Sequence, residues 1–107
     1  MKLLLTGGAG FIGRWLLREV PPTWEVVVVD CLEPDVHGAH AEFPRDVASR
    51  AVCVRADLRN ADAWRDHAHD IDIVIHLAAL TGTGQSALQL RRYTEGNATA
   101  TAQLLET

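Results

Sequence analysis

Thr6-Gly7-Gly8-Ala9-Gly10-Phe11-Ile12-Gly13 follows the apolar run Leu3-Leu4-Leu5 and opens a segment carrying Phe11, Ile12, Trp15, Leu16 and Val20. That order reads as a strand over Lys2 to Thr6, a glycine turn, and an amphipathic helix from Gly10 to Glu19 that Pro21-Pro22 cannot continue. A strand that turns sharply into a helix, lets a pyrophosphate approach bare backbone and packs close to that helix needs glycine at three places. Gly7, Gly10 and Gly13 stand at those places. The helix N-terminus, through the backbone of Phe11 and Ile12, then presents unpaired N–H groups and the positive end of its dipole to an anion.

Outward from the turn, Glu25 to Asp30 reads as a second strand. Val26-Val27-Val28-Val29 has no polar alternation, as a strand covered on both faces of a parallel sheet requires. Strand, helix and strand form a βαβ unit, and Asp30 ends it 17 residues after Gly13. In such a unit a carboxylate at this position accepts hydrogen bonds from the adenosine ribose hydroxyls and repels a 2′-phosphate. Cys31-Leu32-Glu33 supply no arginine to hold that phosphate, so the sequence favours NAD over NADP. The rival reading of Asp30 is an acid that merely terminates a strand.

Further along, Glu33 to Ser49 is polar and interrupted by Pro34, Gly38 and Pro44, which predicts an irregular loop with room for one helical turn. Ala51 to Arg55 reads as a third strand. A helix is expected from Ala61 to His69 with Asn60 or Asp62 as N-cap, and a fourth strand within Asp72 to Ala79. Thr81 to Ser86 reads as a turn, and Ala87 to Glu106 as one long helix. The fold expected is α/β: a Rossmann-type parallel sheet of about four strands in the order 3-2-1-4, with flanking helices.

The motif Thr6 to Gly13 resembles the T-G-x-x-G-x-x-G motif of the short-chain dehydrogenase/reductase superfamily. Its form T-G-G-A-G-F-I-G is similar to that of the extended branch, the NAD-dependent epimerases and dehydratases of nucleotide sugars. Three other stretches resemble the same branch: Asp57-Leu58, His76-Leu77-Ala78-Ala79, and the pattern made by Tyr93, Asn97, Thr101, Leu104, Leu105 and Glu106. The resemblance implies that Asp57 faces the adenine amino group and Leu58 its ring, although Asp57 also reads as a simple turn residue. It implies that Leu77, Ala78 and Ala79 lie against the ribose and pyrophosphate, and that Asn97 and Thr81 offer polar contacts on the cofactor side. His76 reads as a strand-packing residue, not a catalytic one. Gly96 inside the last helix costs about 1 kcal/mol relative to alanine, and Ala100 stands where the family usually has glycine.

Composition sets limits. The 107 residues carry a net charge of −4, which argues against nucleic acid as the main partner. No apolar run reaches the roughly 18 residues of a membrane span, and no signal-peptide pattern opens the chain, so a cytoplasmic location is expected. Cys31 and Cys53 read as reduced small hydrophobes. Cys31, His37 and His40 lack the fourth ligand of a structural zinc site, so no metal is expected.

The resemblance reaches only the first half of the family's fold, which continues into a strand bearing Ser/Thr and a helix bearing Y-x-x-x-K. Of ten basic residues nine are arginine, and the one lysine, Lys2, begins the first strand. Five residues at about 3.3 Å each put it roughly 16 Å from the carboxyl ends where a ligand binds. Tyr93 is followed four residues later by Asn97, not lysine. No catalytic residue is therefore assigned. The expected function is the NAD-binding portion, residues 1–107, of an epimerase or dehydratase acting on a nucleotide sugar. The alternative is a stand-alone NAD-binding or sensing module that works through its open sheet edge, by homo-oligomerisation or through a partner.

Overall fold

The computed structural model describes residues 1–81 and 83–107, with the side chains of 83–85 left aside. Four parallel strands, β1 (Lys2–Thr6), β2 (Glu25–Asp30), β3 (Val52–Arg55) and β4 (Ile73–His76), lie in the order β3-β2-β1-β4. This is the expected topology. In register, Leu4 sits between Val27 and Val74, and Thr6 between Val29 and His76, so β1 and β2 have partners on both sides and their apolar runs are buried throughout.

The pleat sends alternate side chains to two cores. Leu3, Leu5, Val26 and Val28 pack with Leu17 of α1 (Phe11–Glu19) and Val47 of α3 (Arg45–Ala48). Leu4, Val27, Val29 and Val54 pack on the other face with Leu58, Trp64 and, from the C-terminal helix, Ala100. The stretch after β2 forms two four-residue helices, α2 (Pro34–His37) and α3, where an irregular loop with one turn was expected.

Three expectations need correction. The α1 stripe is narrower than the sequence implies: Gly13 and Leu17 are buried, whereas Phe11 and Ile12 are 80% and 64% exposed and Trp15 carries the Arg18 guanidinium over its ring. Apolar spacing identifies a face but not whether a neighbour covers it. Residues 61–69 form no α-helix but two 3₁₀ turns, Ala61–Ala63 and Arg65–His67, with neither Asn60 nor Asp62 capping by its side chain. Only Ala61 and Trp64 are buried here, too few for a helical stripe, and Trp64 leaves helical geometry to bury its ring and donate its indole N–H to the Leu58 carbonyl at 3.2 Å.

The long C-terminal helix is also divided. The turn expected over 81–86 lies partly outside the described residues, and helix begins already at Thr83. α4 (Thr83–Leu88) stops at Gln89, then α5 (Leu90–Thr94), a π turn (Glu95–Thr99) and α6 (Ala100–Glu106) follow without a break. Gly96 explains the widened turn. A Cβ there would stand 2.5 Å from Leu80 Cδ1, so the helix admits the Leu80 side chain where alanine would exclude it. Such π turns often mark functional sites. Beyond β4 no further strand pairs among the described residues, and Val74 on its middle is half exposed.

Candidate functional site

The site forms where β1, β2, β3 and β4 end together, the usual ligand crevice of a parallel sheet. Gly7 leaves β1 with φ +71°, a left-handed conformation that disfavours a side chain, and a Cβ there would lie 2.7 Å from the Ala78 backbone nitrogen. Gly13 lets α1 press against the turn, since a Cβ would come within 2.6 Å of Gly8 Cα. The first backbone bond into the helix is Arg14 N–H to the Gly10 carbonyl at 3.0 Å. The N–H groups of Phe11 and Ile12 have no carbonyl a turn earlier in the helix, no side chain caps the end, and the first turn holds no acid. The positive end of this nine-residue helix is thus left for an anion.

Asp30 is buried, 8% exposed, at the end of β2. Its Oδ2 accepts the Ala9 N–H at 3.0 Å, and its Oδ1 accepts the Leu32 N–H at 2.9 Å. The carboxylate therefore braces the glycine turn, a duty sequence reasoning missed. Each oxygen keeps a second lone pair for a hydroxyl donor.

The opposite wall is Leu77 to Thr81, fixed from beneath by side chains of two other elements. Thr6 Oγ1 accepts the Ala78 N–H at 3.2 Å and lies 2.6 Å from His76 Nδ1, while His76 Nε2 lies 2.9 Å from Thr101 Oγ1. Thr101 donates its own hydroxyl proton to the Asn97 carbonyl at 2.6 Å. Its oxygen then accepts from Nε2–H, and in a neutral ring Nδ1 accepts from the Thr6 hydroxyl. This arrangement fits the neutral Nε2–H tautomer, and burial pushes the ring's pKa below the ordinary 6.5. Asn97 does not point its amide into the cleft as a cofactor contact: its Oδ1 accepts the Leu80 N–H at 2.6 Å and its Nδ2 donates to the Leu80 carbonyl at 3.0 Å. Tyr93 donates to the Thr81 carbonyl at 2.8 Å. Both residues shape the wall and neither enters the cleft.

Between these walls is a cavity of about 210 Å³. Of the residues expected to bind, Gly7, Gly10, Asp30, Asp57, Leu58, Leu77, Ala78, Ala79 and Thr81 line it. Gly13, packed behind the turn, and Phe11 and Ile12, whose side chains are exposed, are not among the residues that line it. Asp57 is already engaged: Arg59 donates its backbone N–H to Oδ1 at 2.9 Å and its Nη2 to Oδ2 at 2.5 Å, which holds the carboxyl below its usual range. Cys31 is exposed beside Asp30 and Glu33, and burial of its sulfur together with those charges pushes its thiol pKa up. Among the described residues no group of His, Cys, Asp and Glu has the geometry of a metal site.

A glycine turn, an uncapped helix end and a carboxylate at the end of β2, all on a 3-2-1-4 parallel sheet, define a Rossmann-type dinucleotide-binding protein. The chain belongs to the NAD dependent epimerase/dehydratase family, whose model matches residues 3–107. It is similar to the dTDP-L-rhamnose 4-epimerase of Burkholderia thailandensis, 40% identical over 98% of this chain and 30% of that protein. Among solved structures, a UDP-glucose 4-epimerase of Thermotoga maritima with UDP-glucose superimposes with a TM-score of 0.82 at 26% identity, covering 99% of this chain and 33% of that one. The UDP-glucose 4-epimerase of Bifidobacterium longum in complex with NAD⁺ and UDP gives 0.78 at 26% identity, covering 99% and 32%. The chain thus spans about a third of the length of these relatives. The family's cofactor is NAD. No helix among the described residues is long and apolar enough to cross a membrane.

Proposed function

We propose that residues 1–107 are the NAD-binding portion of an epimerase- or dehydratase-type oxidoreductase acting on a nucleotide sugar. The observation that carries this reading is the cleft itself, with bare Gly7 and Gly10 backbone and the α1 N-terminus on one side and the buried Asp30 carboxylate on the other. In it the pyrophosphate would lie on the N–H groups of Phe11 and Ile12. The adenosine ribose would donate to the free lone pairs of Asp30, and Leu58 would pack on the adenine ring. Asp57 would meet the adenine amino group with the carboxylate oxygens that Arg59 leaves available. Leu77, Ala78, Ala79 and Thr81 would form the wall along the ribose and pyrophosphate.

When bound, NAD supplies the hydride acceptor. The chain's own residues bind and orient it, and none of them is assigned to move a proton on the substrate. The cavity is smaller than the roughly 300–1,000 Å³ of complete small-molecule sites, which favours its being one wall of a larger site. The open side of β4 favours a further strand there, from the same polypeptide or from a second copy.

Calorimetric titration of NAD into the 107-residue chain tests the reading. Binding should occur and weaken in Asp30→Asn, which loses the charge-assisted contact to the ribose and, with one acceptor oxygen, leaves either the Ala9 or the Leu32 N–H without its partner. No binding to a chain shown to be folded by circular dichroism would refute it.

A further inference from the structure

The adenosine end of the cleft holds an arginine that the sequence around β2 gives no sign of. Arg92, on α5, lines the same cavity as Asp30 and Glu33 although 59 residues separate it from Glu33. Its Nη2 donates to Glu33 Oε1 at 2.5 Å and to Asp35 Oδ2 at 3.4 Å, and its Nη1 donates to Gln89 Oε1 at 2.8 Å. A guanidinium is the planar fork that matches carboxylate and phosphate alike. At this end of a Rossmann cleft, an arginine is also what accommodates a ribose 2′-phosphate.

Resting on the dinucleotide reading above, we propose that Glu33 and Asp35 determine cofactor specificity by occupying Arg92. Glu33 follows Asp30 by three residues on the strand-to-loop turn that would receive the ribose. With both carboxylates in place, the guanidinium ties the β2 loop to α5 and has no fork left for a phosphate. Asp30 then rejects the 2′-phosphate directly, and the Glu33–Asp35 pair rejects it by withholding the Arg92 guanidinium, while Arg59, which lines the same cavity, is held by Asp57 and Glu95. The pair is partly solvated, with side-chain exposures of 38% for Arg92 and 25% for Glu33, so its removal should cost the fold little.

The test compares NAD and NADP affinities by calorimetry in the wild-type chain, in Glu33→Gln/Asp35→Asn, and in that double variant carrying Arg92→Ala as well, each checked for native circular dichroism. The double variant should raise NADP affinity relative to NAD by about tenfold, the worth of one charge-assisted contact. Adding Arg92→Ala should return the ratio to near its starting value. If NAD binds the wild type and the ratio does not move in the double variant, the proposal fails while the dinucleotide reading stands. It fails equally if the ratio rises as much without Arg92, because loss of negative charge alone would then account for it. If a folded wild-type chain binds no NAD, the dinucleotide reading fails and takes this proposal with it.

Discussion

The Thr6 hydroxyl lies 2.6 Å from His76 Nδ1, joining the last residues of two neighbouring strands directly beneath the cleft. With Thr101 on the other ring nitrogen, the imidazole links β1, β4 and α6 through bonds that suit its neutral form. A protonated ring would place an N–H against the Thr6 hydroxyl, which already receives the Ala78 N–H and would have to turn its own proton away.

Stability should therefore fall with acid over a definite window. Burial depresses the pKa of His76 in the folded chain below 6.5, so the unfolded chain binds a proton first. The contribution is complete above about pH 6.5, is lost progressively as the pH falls from there toward the folded-state pKa, and changes no further below it. Urea denaturation at about pH 7.5 and about pH 5.5 checks this: wild type should lose stability between the two, and His76→Gln should lose less. An equal loss in the variant would assign the effect to other groups.

Gly7→Ala should be severely destabilising. It combines left-handed strain of about 1–3 kcal/mol with a Cβ only 2.7 Å from the Ala78 nitrogen, where backbone must move. A drop in the urea midpoint of a size matching 2 kcal/mol or more, roughly, is expected. NAD affinity, measured at a temperature where the variant remains folded, should fall with it because the same movement displaces both walls.

The parts of this molecule legible in its sequence are those whose cause is local. Leu3-Leu4-Leu5, Val26 to Val29, the glycines and Asp30 each dictate a conformation or a burial within a few residues, and from them the strand order and most of the cleft follow. The rest depends on partners distant in the chain. Nothing near Asn97 announces that both ends of its amide will be taken by Leu80, 17 residues earlier. Nothing in the sequence announces that folding will bring Arg59 beside Glu95 and Arg92 beside Glu33. Phe11, Ile12 and Trp15 show the opposite failure: apolar side chains at helical spacing, without a covering element among the described residues.

Gly96 gives a test in which the sign reverses. Alanine at an ordinary helical glycine gains about 1 kcal/mol, but here its Cβ would meet Leu80 Cδ1 at 2.5 Å and Cγ at 3.0 Å. Asn97 holds the Leu80 backbone at both N–H and carbonyl, so the clash can be relieved only by the Leu80 side chain leaving its rotamer. Gly96→Ala should thus destabilise the wild type by about 1–3 kcal/mol and stabilise the Leu80→Ala background. Thermal melts of the four chains in a double-mutant cycle measure this directly. Additive effects would show that the close approach does not govern the π turn.

Cys31 reports on the cleft from its rim. Its sulfur is partly buried beside Asp30 and Glu33, both of which disfavour the thiolate, so its pKa is raised. Alkylation by iodoacetamide should be slower at neutral pH than for a free cysteine and should accelerate with rising pH, because only the thiolate attacks. Cys31 lines the cavity together with Gly10 and Asp30, whereas Cys53, on β3, is not among its lining residues. Saturating NAD should therefore slow modification of Cys31 and leave Cys53 unchanged, as peptide mass mapping would resolve. Equal protection of both thiols would indicate a general tightening of the fold, and protection of neither would place the ligand away from this rim.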